Sequence, residues 1–395
     1  MQWSKLACFG MAAVISCSSF LQTPAHAQEL VQEENILVGS SGKALEKFAG
    51  RESTEEETKE LFLANGYRYR ELKNGTLEIT GYTGRATELV IPNEINGKRV
   101  SRVGESAFLY CSDLSSIKLP VGVTSIGYGS FRGCSRLKQI DLPERVASIG
   151  KSAFWGCTSL ETIKLPKEIT SIRRDTFKNC FRLRKIELPE GITNIGESAF
   201  EGCGLESITL PEGVASIKRD TFRDCSNLKS MELPKGIKSI GNRAFSGCTS
   251  LKRIKLPEGV TSIKRDTFLC CSNLERIDLP EGIRSIGESV FMGCSSLKSI
   301  DLPEGITSIG ANAFLGCSSL KSIDLPEGVS SIEYATFQGC SSLKSVKLPE
   351  GVTSIGEDAF LECSRNLTLY AVPDSHAESY AKENGLPYSD FAVYP

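Results

Sequence analysis

A 23-residue unit, typified by Leu297 to Ser319 (LKSIDLPEGITSIGANAFLGCSS), recurs from about Leu89 to Cys363. Aligned on its proline, the step from Pro92 through Pro349 is 23 residues, except 28 at the first step and 22 between Pro189 and Pro211. A fixed period of this size is the mark of a solenoid. One copy holds too few apolar side chains to offset the entropy of ordering itself, so the copies must stack and bury one another.

Within the unit, Leu297, Ile300, Leu302, Ile306, Ile309, Ala313, Phe314 and Cys317 are the apolar positions. Ile300 and Leu302 alternate with Ser299, Asp301 and Pro303, which predicts a short strand with one buried face. Pro303 ends its donor ladder, and Glu304-Gly305 supplies the turn. Thr307-Ser308-Ile309 predicts a second short strand. Ala313-Phe314 is expected in a tight helical turn that closes the coil. The expected fold is an α/β repeat: a solenoid of about twelve coils with short parallel strands.

The pattern LxxIxLPxxITSIGxxAFxGCSS resembles the BspA-like leucine-rich repeat family of microbial surface proteins, over roughly three quarters of the chain. The resemblance implies a right-handed solenoid with a parallel sheet on its concave side. It also implies export and a role in adhesion or protein binding.

Flanking segments complete the expected organisation. Residues 1–27 read as an export signal: Lys5, an apolar run from Leu6 to Ser16, and small residues before a cut at Gln28. A rival reading takes Val14-Ile15-Ser16-Cys17 as a lipoprotein box that makes Cys17 the lipidated N-terminus. No later stretch is apolar enough to span a membrane. Residues 28–66, with the acidic run Glu52 to Glu60, read as a flexible spacer. Residues 67–110 are expected to hold an N-terminal hairpin cap around Asn74-Gly75 and the first repeat, with an inserted loop near Glu94 to Lys98. Residues 111–363 form the regular array. Residues 364–395 are expected to cap the other end, with a last strand at Leu367–Tyr370, Ser375 as helix N-cap and Gly385 beyond the helix C-terminus.

Inside the array a second period appears. After the second-strand isoleucine, glycine alternates with a basic residue: Gly150, Arg173, Gly196, Lys218, Gly241, Lys264, Gly287. This places Arg173/Arg174, Lys218/Arg219 and Lys264/Arg265 on one side of every second coil and suggests growth by duplication of repeat pairs.

Twelve of the fifteen cysteines stand one per repeat, from Cys111 to Cys363. A 23-residue step is not metal-ligand spacing, and side chains in a ladder point alike, so buried free thiols are expected. The leucine-rich repeat analogy makes this the position that satisfies the turn backbone. Cys270 is the expected exposed, unpaired one. His376 is the one histidine after the export signal, without a nucleophile motif beside it. No phosphate-cradling glycine loop is present. The net charge of −2 argues against nucleic acid as a partner.

On the expected concave strand Asp278, Asp301 and Asp324 share a row. They are open to two readings, a solvated row partly neutralised by Lys298 and Lys321, or an acidic patch or weak cation site. Glu258, Glu281, Glu304, Glu327 and Glu350 form a second row, and Lys298, Lys321 and Lys344 a third. The candidate contact residues are therefore Lys298, Asp301, Lys321, Asp324, Lys344 and Lys347. The leading expectation is a secreted or surface-displayed protein that binds a host or matrix protein, without catalysis or cofactor. A carbohydrate-active or other enzyme on the same scaffold, or a structural envelope spacer, are the alternatives.

Overall fold

The computed structural model describes residues 60–62 and 66–393. The expected export signal, Cys17 and nearly all of the acidic spacer lie outside them. The described residues form a β-solenoid of about 14 turns of about 23 residues. The number exceeds the twelve counted from sequence because both caps continue the stack. At the N-terminal end β1 (Glu60–Phe62), β2 (Tyr67–Glu71) and β3 (Leu77–Tyr82) are antiparallel neighbours. Gly75, at φ 76°, makes their expected turn. β3 then pairs in parallel with the first coil. At the other end Thr368–Ala371 pairs in parallel with Ser345–Lys347 and with Tyr388–Asp390.

The five-residue excess in the first repeat is a hairpin rather than a plain loop. β4 (Glu88–Val90) is followed by β5 (Glu94–Ile95) and β6 (Lys98–Val103), and β5 and β6 pair antiparallel. Asn96 and Gly97 both take positive φ, 51° and 74°, the two-residue turn that suits a twisted hairpin. The Asn-Gly pair was visible in the sequence as a signal for it.

The second strand of the coil is the more regular one. A two-residue strand recurs from Ser125–Ile126 through Ser354–Ile355, with isoleucine inward. The first strand is laddered in blocks. Glu88–Val90, Ser116–Lys118, Gln139–Asp141 and Thr162–Lys164 form one parallel sheet. Arg253–Lys255 pairs with Arg276–Asp278, and Ser322–Asp324 with Ser345–Lys347. Residues 299–301, expected as a strand, belong to no strand, although Ile300 is buried.

The expected helical turn at Ala313-Phe314 is corrected. Asn312 and Gly316 adopt left-handed φ of 58° and 72°. The N–H groups of Asn312, Phe314 and Gly316 donate to the carbonyls of Tyr334, Thr336 and Gln338 on the next coil. Those of Ala313, Leu315 and Cys317 close local turns. A helix would direct every N–H along its own axis. Stacked coils instead need alternate donors aimed sideways to satisfy buried carbonyls. The one α-helix among the described residues is α1 (His376–Glu383) in the C-terminal cap. Ser375 caps it, its Oγ accepting from Glu378 N, and Gly385 follows at φ 65°.

The core is a column of phenylalanine rings, one per coil from Phe108 to Phe360, with centroids 5.2–5.8 Å apart. Tyr82 meets one end at 5.8 Å and Tyr380 of α1 the other at 6.2 Å. The caps therefore end the column as well as the sheets.

The cysteine row runs beside it. Each thiol from Cys134 to Cys363 donates to the carbonyl of the preceding coil's phenylalanine, at 3.0–3.2 Å. Cys134 donates to Phe108 O and Cys317 to Phe291 O. Twelve thiols of this row are free. Cys270 differs from the expectation: it is half-buried, holds φ 57° where Gly293 and Gly316 hold the same turn, and is not one of the free thiols. Burial pushes Cys111 up to about 11 and Cys271 and Cys363 up to about 12. Thiolate is the reactive form. In the native protein at pH 8, the buried row from Cys134 to Cys340 is expected to resist iodoacetamide for a time that alkylates the unfolded chain completely, as read by mass spectrometry. Rapid labelling of Cys225 in the folded protein would contradict this.

The alternation of glycine with Arg, Lys or Glu has a packing cause. A Cβ on Gly150, Gly196 or Gly241 would lie 2.4–2.6 Å from backbone atoms of the preceding coil. These glycines donate their N–H to the preceding coil's isoleucine carbonyl, as Gly196 does to Ile172 and Gly241 to Ile217. Where the residue is Arg173, Lys218, Lys264 or Glu333, that bond is missing. The second-strand sheet breaks just before each of these coils. A threonine hydroxyl closes the turn instead: Thr176 to Arg173 O, Thr221 to Lys218 O, Thr267 to Lys264 O and Thr336 to Glu333 O.

Candidate binding surface

The first-strand side of the coil turns every second side chain outward, because Leu, Ile and Leu of LxxIxL are held in the core. The six candidate contact residues all lie on this side. Lys298, Asp301, Lys321, Asp324 and Lys344 are exposed and Lys347 is half-buried. Asp324 stands opposite Lys347 in the parallel register. The Lys347 ammonium lies over the Phe391 ring, 4.5 Å from its centroid, which ties this face to the C-terminal cap.

Lys298 turns to a glutamate of its own row, and Asp278 to an arginine of its own strand. Lys298 Nζ is 3.3 Å from Glu275, one coil back in its own row. Asp278 is held by Arg276 Nε at 2.6 Å. Asp301 and Asp324 instead border an open cleft of about 450 Å³, together with Glu304, Glu327 and Lys347. Ile300, Leu302, Ile323 and Leu325 also line it, but its exposed lining is mostly polar. The cleft lies where the first-strand ladder lapses, at residues 299–301. Sequence reasoning found the charged rows but not the cleft, because a lapse in pairing leaves no mark on the repeat itself.

Among the described residues no group of three or more His, Cys, Asp or Glu is placed to hold a metal ion. His376 stands exposed at the start of α1. Of the basic pairs on every second coil, expected on one side, the second member of each is tied into ion pairs, and Lys218 Nζ donates to Asn194 Oδ1 at 2.6 Å. Arg174 and Arg219 both reach Glu197, at 4.0 and 3.8 Å, and Arg265 reaches Glu288 at 3.2 Å. Each also meets the aspartate that follows it, Asp175, Asp220 or Asp266. Burial raises the carboxyls of Asp175 and Asp266, against the pull of their arginines. This ladder joins coils and leaves few of its arginines open to an anionic ligand. Among the described residues no helix is long and apolar enough to cross a membrane.

The family described as BspA type leucine rich repeat region (6 copies) matches residues 101–229, 216–343 and 261–382, well over half of the chain. The chain belongs to this family. Its BspA-type repeats are those of the solenoid described above. No curated protein matches the chain. Among solved structures, it is similar to a leucine rich cell surface protein from Faecalibacterium prausnitzii A2-165. The identity is 29%, the match covers 82% of this chain and 98% of that one, and the TM-score is 0.60. A leucine-rich repeat protein from Bacteroides ovatus ATCC 8483 is 26% identical over 86% of this chain and 99% of that one, with TM-score 0.47. The pneumococcal vaccine antigen PcpA shares the fold at 19% identity, over 85% and 98% of the two chains, with TM-score 0.51. BspA-type proteins are repeat proteins, a non-enzymatic kind of family, and a surface protein stands among these neighbours.

Proposed function

We propose that this BspA-type chain is exported to the cell surface or beyond and binds a protein partner, without catalysis, through the first-strand face. The observation that carries the reading is the open, mostly polar cleft bordered by Asp301, Glu304, Asp324, Glu327 and Lys347. Charged groups grouped at an open surface select a protein partner of complementary charge. The export signal read in residues 1–27 supports it, as does the cell surface relative from Faecalibacterium prausnitzii. A host or matrix protein is the expected partner class.

The test is binding of the purified full chain to a panel of immobilised host and matrix proteins in 1 M salt, where only contacts beyond surface charge persist, and in 0.15 M salt. At least one protein is expected to be retained at 0.15 M. The pair Asp301→Lys and Asp324→Lys is expected to weaken that binding by about tenfold or more, while thermal unfolding is unchanged, since opposed rim charges cost affinity. No retention by the wild type, or equal retention by the variant, would refute the reading.

A further inference from the structure

The net charge of −2 conceals a strong separation along the array. Residues 111–270 carry 26 Lys and Arg against 17 Asp and Glu, whereas residues 271–363 carry 6 against 13. The same polarity holds on the first-strand face, counted from each core leucine to the residue after its proline. There the two coils from Lys229 to Glu258 hold 5 cations and 2 carboxylates, and the two from Glu275 to Glu304 hold 2 and 5, while the next coil out on the basic side, Glu206 to Glu212, holds no cation and 2 carboxylates. The sign changes between directly paired strands, Arg253–Lys255 and Arg276–Asp278. On the basic side Lys235, Lys252, Arg253 and Lys255 are exposed, and none is in an ion pair among the described residues. On the acidic side Asp301 and Glu304 open onto the cleft.

We infer that this face pairs with the same face of a second copy of the chain, in antiparallel orientation, about a two-fold axis near the Lys255–Asp278 boundary. A face that is basic in one direction and acidic in the other requires a partner with the reverse order at the same spacing. An inverted copy supplies that order by construction, and a two-fold contact uses one patch on both molecules. Turning the copy over sets the two basic coils of each chain against the two acidic coils of the other, on both sides of the axis. A parallel copy would oppose like charges at every coil. The pairing rests on the same exposed face as the proposed partner site, with Asp301 and Glu304 common to both. Exposed charges at these distances are screened by salt, so the pairing belongs to low ionic strength.

Analytical ultracentrifugation of the full chain tests this without any other protein present. A monomer–dimer equilibrium is expected in 10 mM salt, with an apparent Kd at least about tenfold weaker in 1 M salt, where the screening length falls from about 30 to about 3 Å. The triple variant Lys252→Glu, Arg253→Glu, Lys255→Glu is expected to be monomeric, as is the pair Asp301→Lys, Glu304→Lys. Mixed in equal amounts the two variants are expected to form a heterodimer, because over the four coils from Lys229 to Glu304 one face then carries 4 cations and 10 carboxylates and the other 9 and 5. All five side chains are exposed, and circular dichroism melts of both variants check that they fold. A wild-type monomer in 10 mM salt, a dimer indifferent to salt, or failure of the mixed variants to pair would each overturn the proposal. A wild type that stays monomeric in 10 mM salt yet binds on the protein panel would leave the proposed function standing. A wild-type dimer that no panel protein retains would leave the pairing standing.

Discussion

Phe245→Ala is expected to destabilise the solenoid by about 3–5 kcal/mol, the range for emptying a buried aromatic site. The ring is fully buried and lies 5.6 Å from Phe222 and 5.5 Å from Phe268, nearly parallel to both. The substitution therefore opens a cavity and cuts the column in the middle, and each lost ring contact adds to the transfer loss. Neighbouring coils cannot collapse into the gap. Their spacing is held by the thiol of Cys248 on Phe222 O and that of Cys271 on Phe245 O. A solenoid is stabilised through nearest neighbours. The damage is thus expected to be local first, with amide exchange fastest in the coils on either side of Phe245. Phe360, at the end of the column and packed on Tyr380, is expected to cost less when truncated, because one side is closed by the cap alone. Urea unfolding of the two variants compares them, and equal losses would contradict a neighbour-coupled column.

The alternation beside the second strand gives the other large effect. Gly241→Lys is expected to cost about 3 kcal/mol or more, as overpacking against backbone does, whereas Lys218→Gly is expected to cost about 1 kcal/mol or less. The two positions are equivalent in neighbouring coils. At Gly241 a Cβ would meet Arg219 N at 2.6 Å and Lys218 C at 2.7 Å, so the coils would have to part and the Gly241–Ile217 hydrogen bond would be lost. At Lys218 the coils are already parted, the ladder is broken, and Thr221 closes the turn. The Lys218 ammonium is exposed and reaches Asn194 Oδ1. Denaturant midpoints of the two variants measure the asymmetry. Equal effects would remove the packing explanation and leave pairwise duplication as the account of the double period.

Much of the fold was legible because a repeat states its core many times over. Leu297, Ile300, Phe314 and Cys317 recur in fixed places, and each of them is buried. The hairpin turn at Asn74-Gly75 and the Ser375 cap were legible because their chemistry is local. The closing turn at Phe314 was misread as helical. Its apolar spacing suits a helix, while its left-handed Asn312 and its sideways hydrogen bonds exist only once another coil is present. The candidate contact residues were legible as rows. Their pairing was not: Asp278 turned to Arg276, and Lys298 to Glu275.

The amino-acid sequence by itself determined the 23-residue coil, the rows of phenylalanine and cysteine, and the presence of a cap at each end, since all of these follow from side chains a few residues apart. Only the tertiary structure decided where the strand ladders lapse, which charges are neutralised and where a cleft opens between Asp301 and Asp324. Those outcomes depend on how closely one coil approaches the next. That distance is set by single Cβ atoms and side-chain reaches across 23 residues of chain, which no one repeat contains.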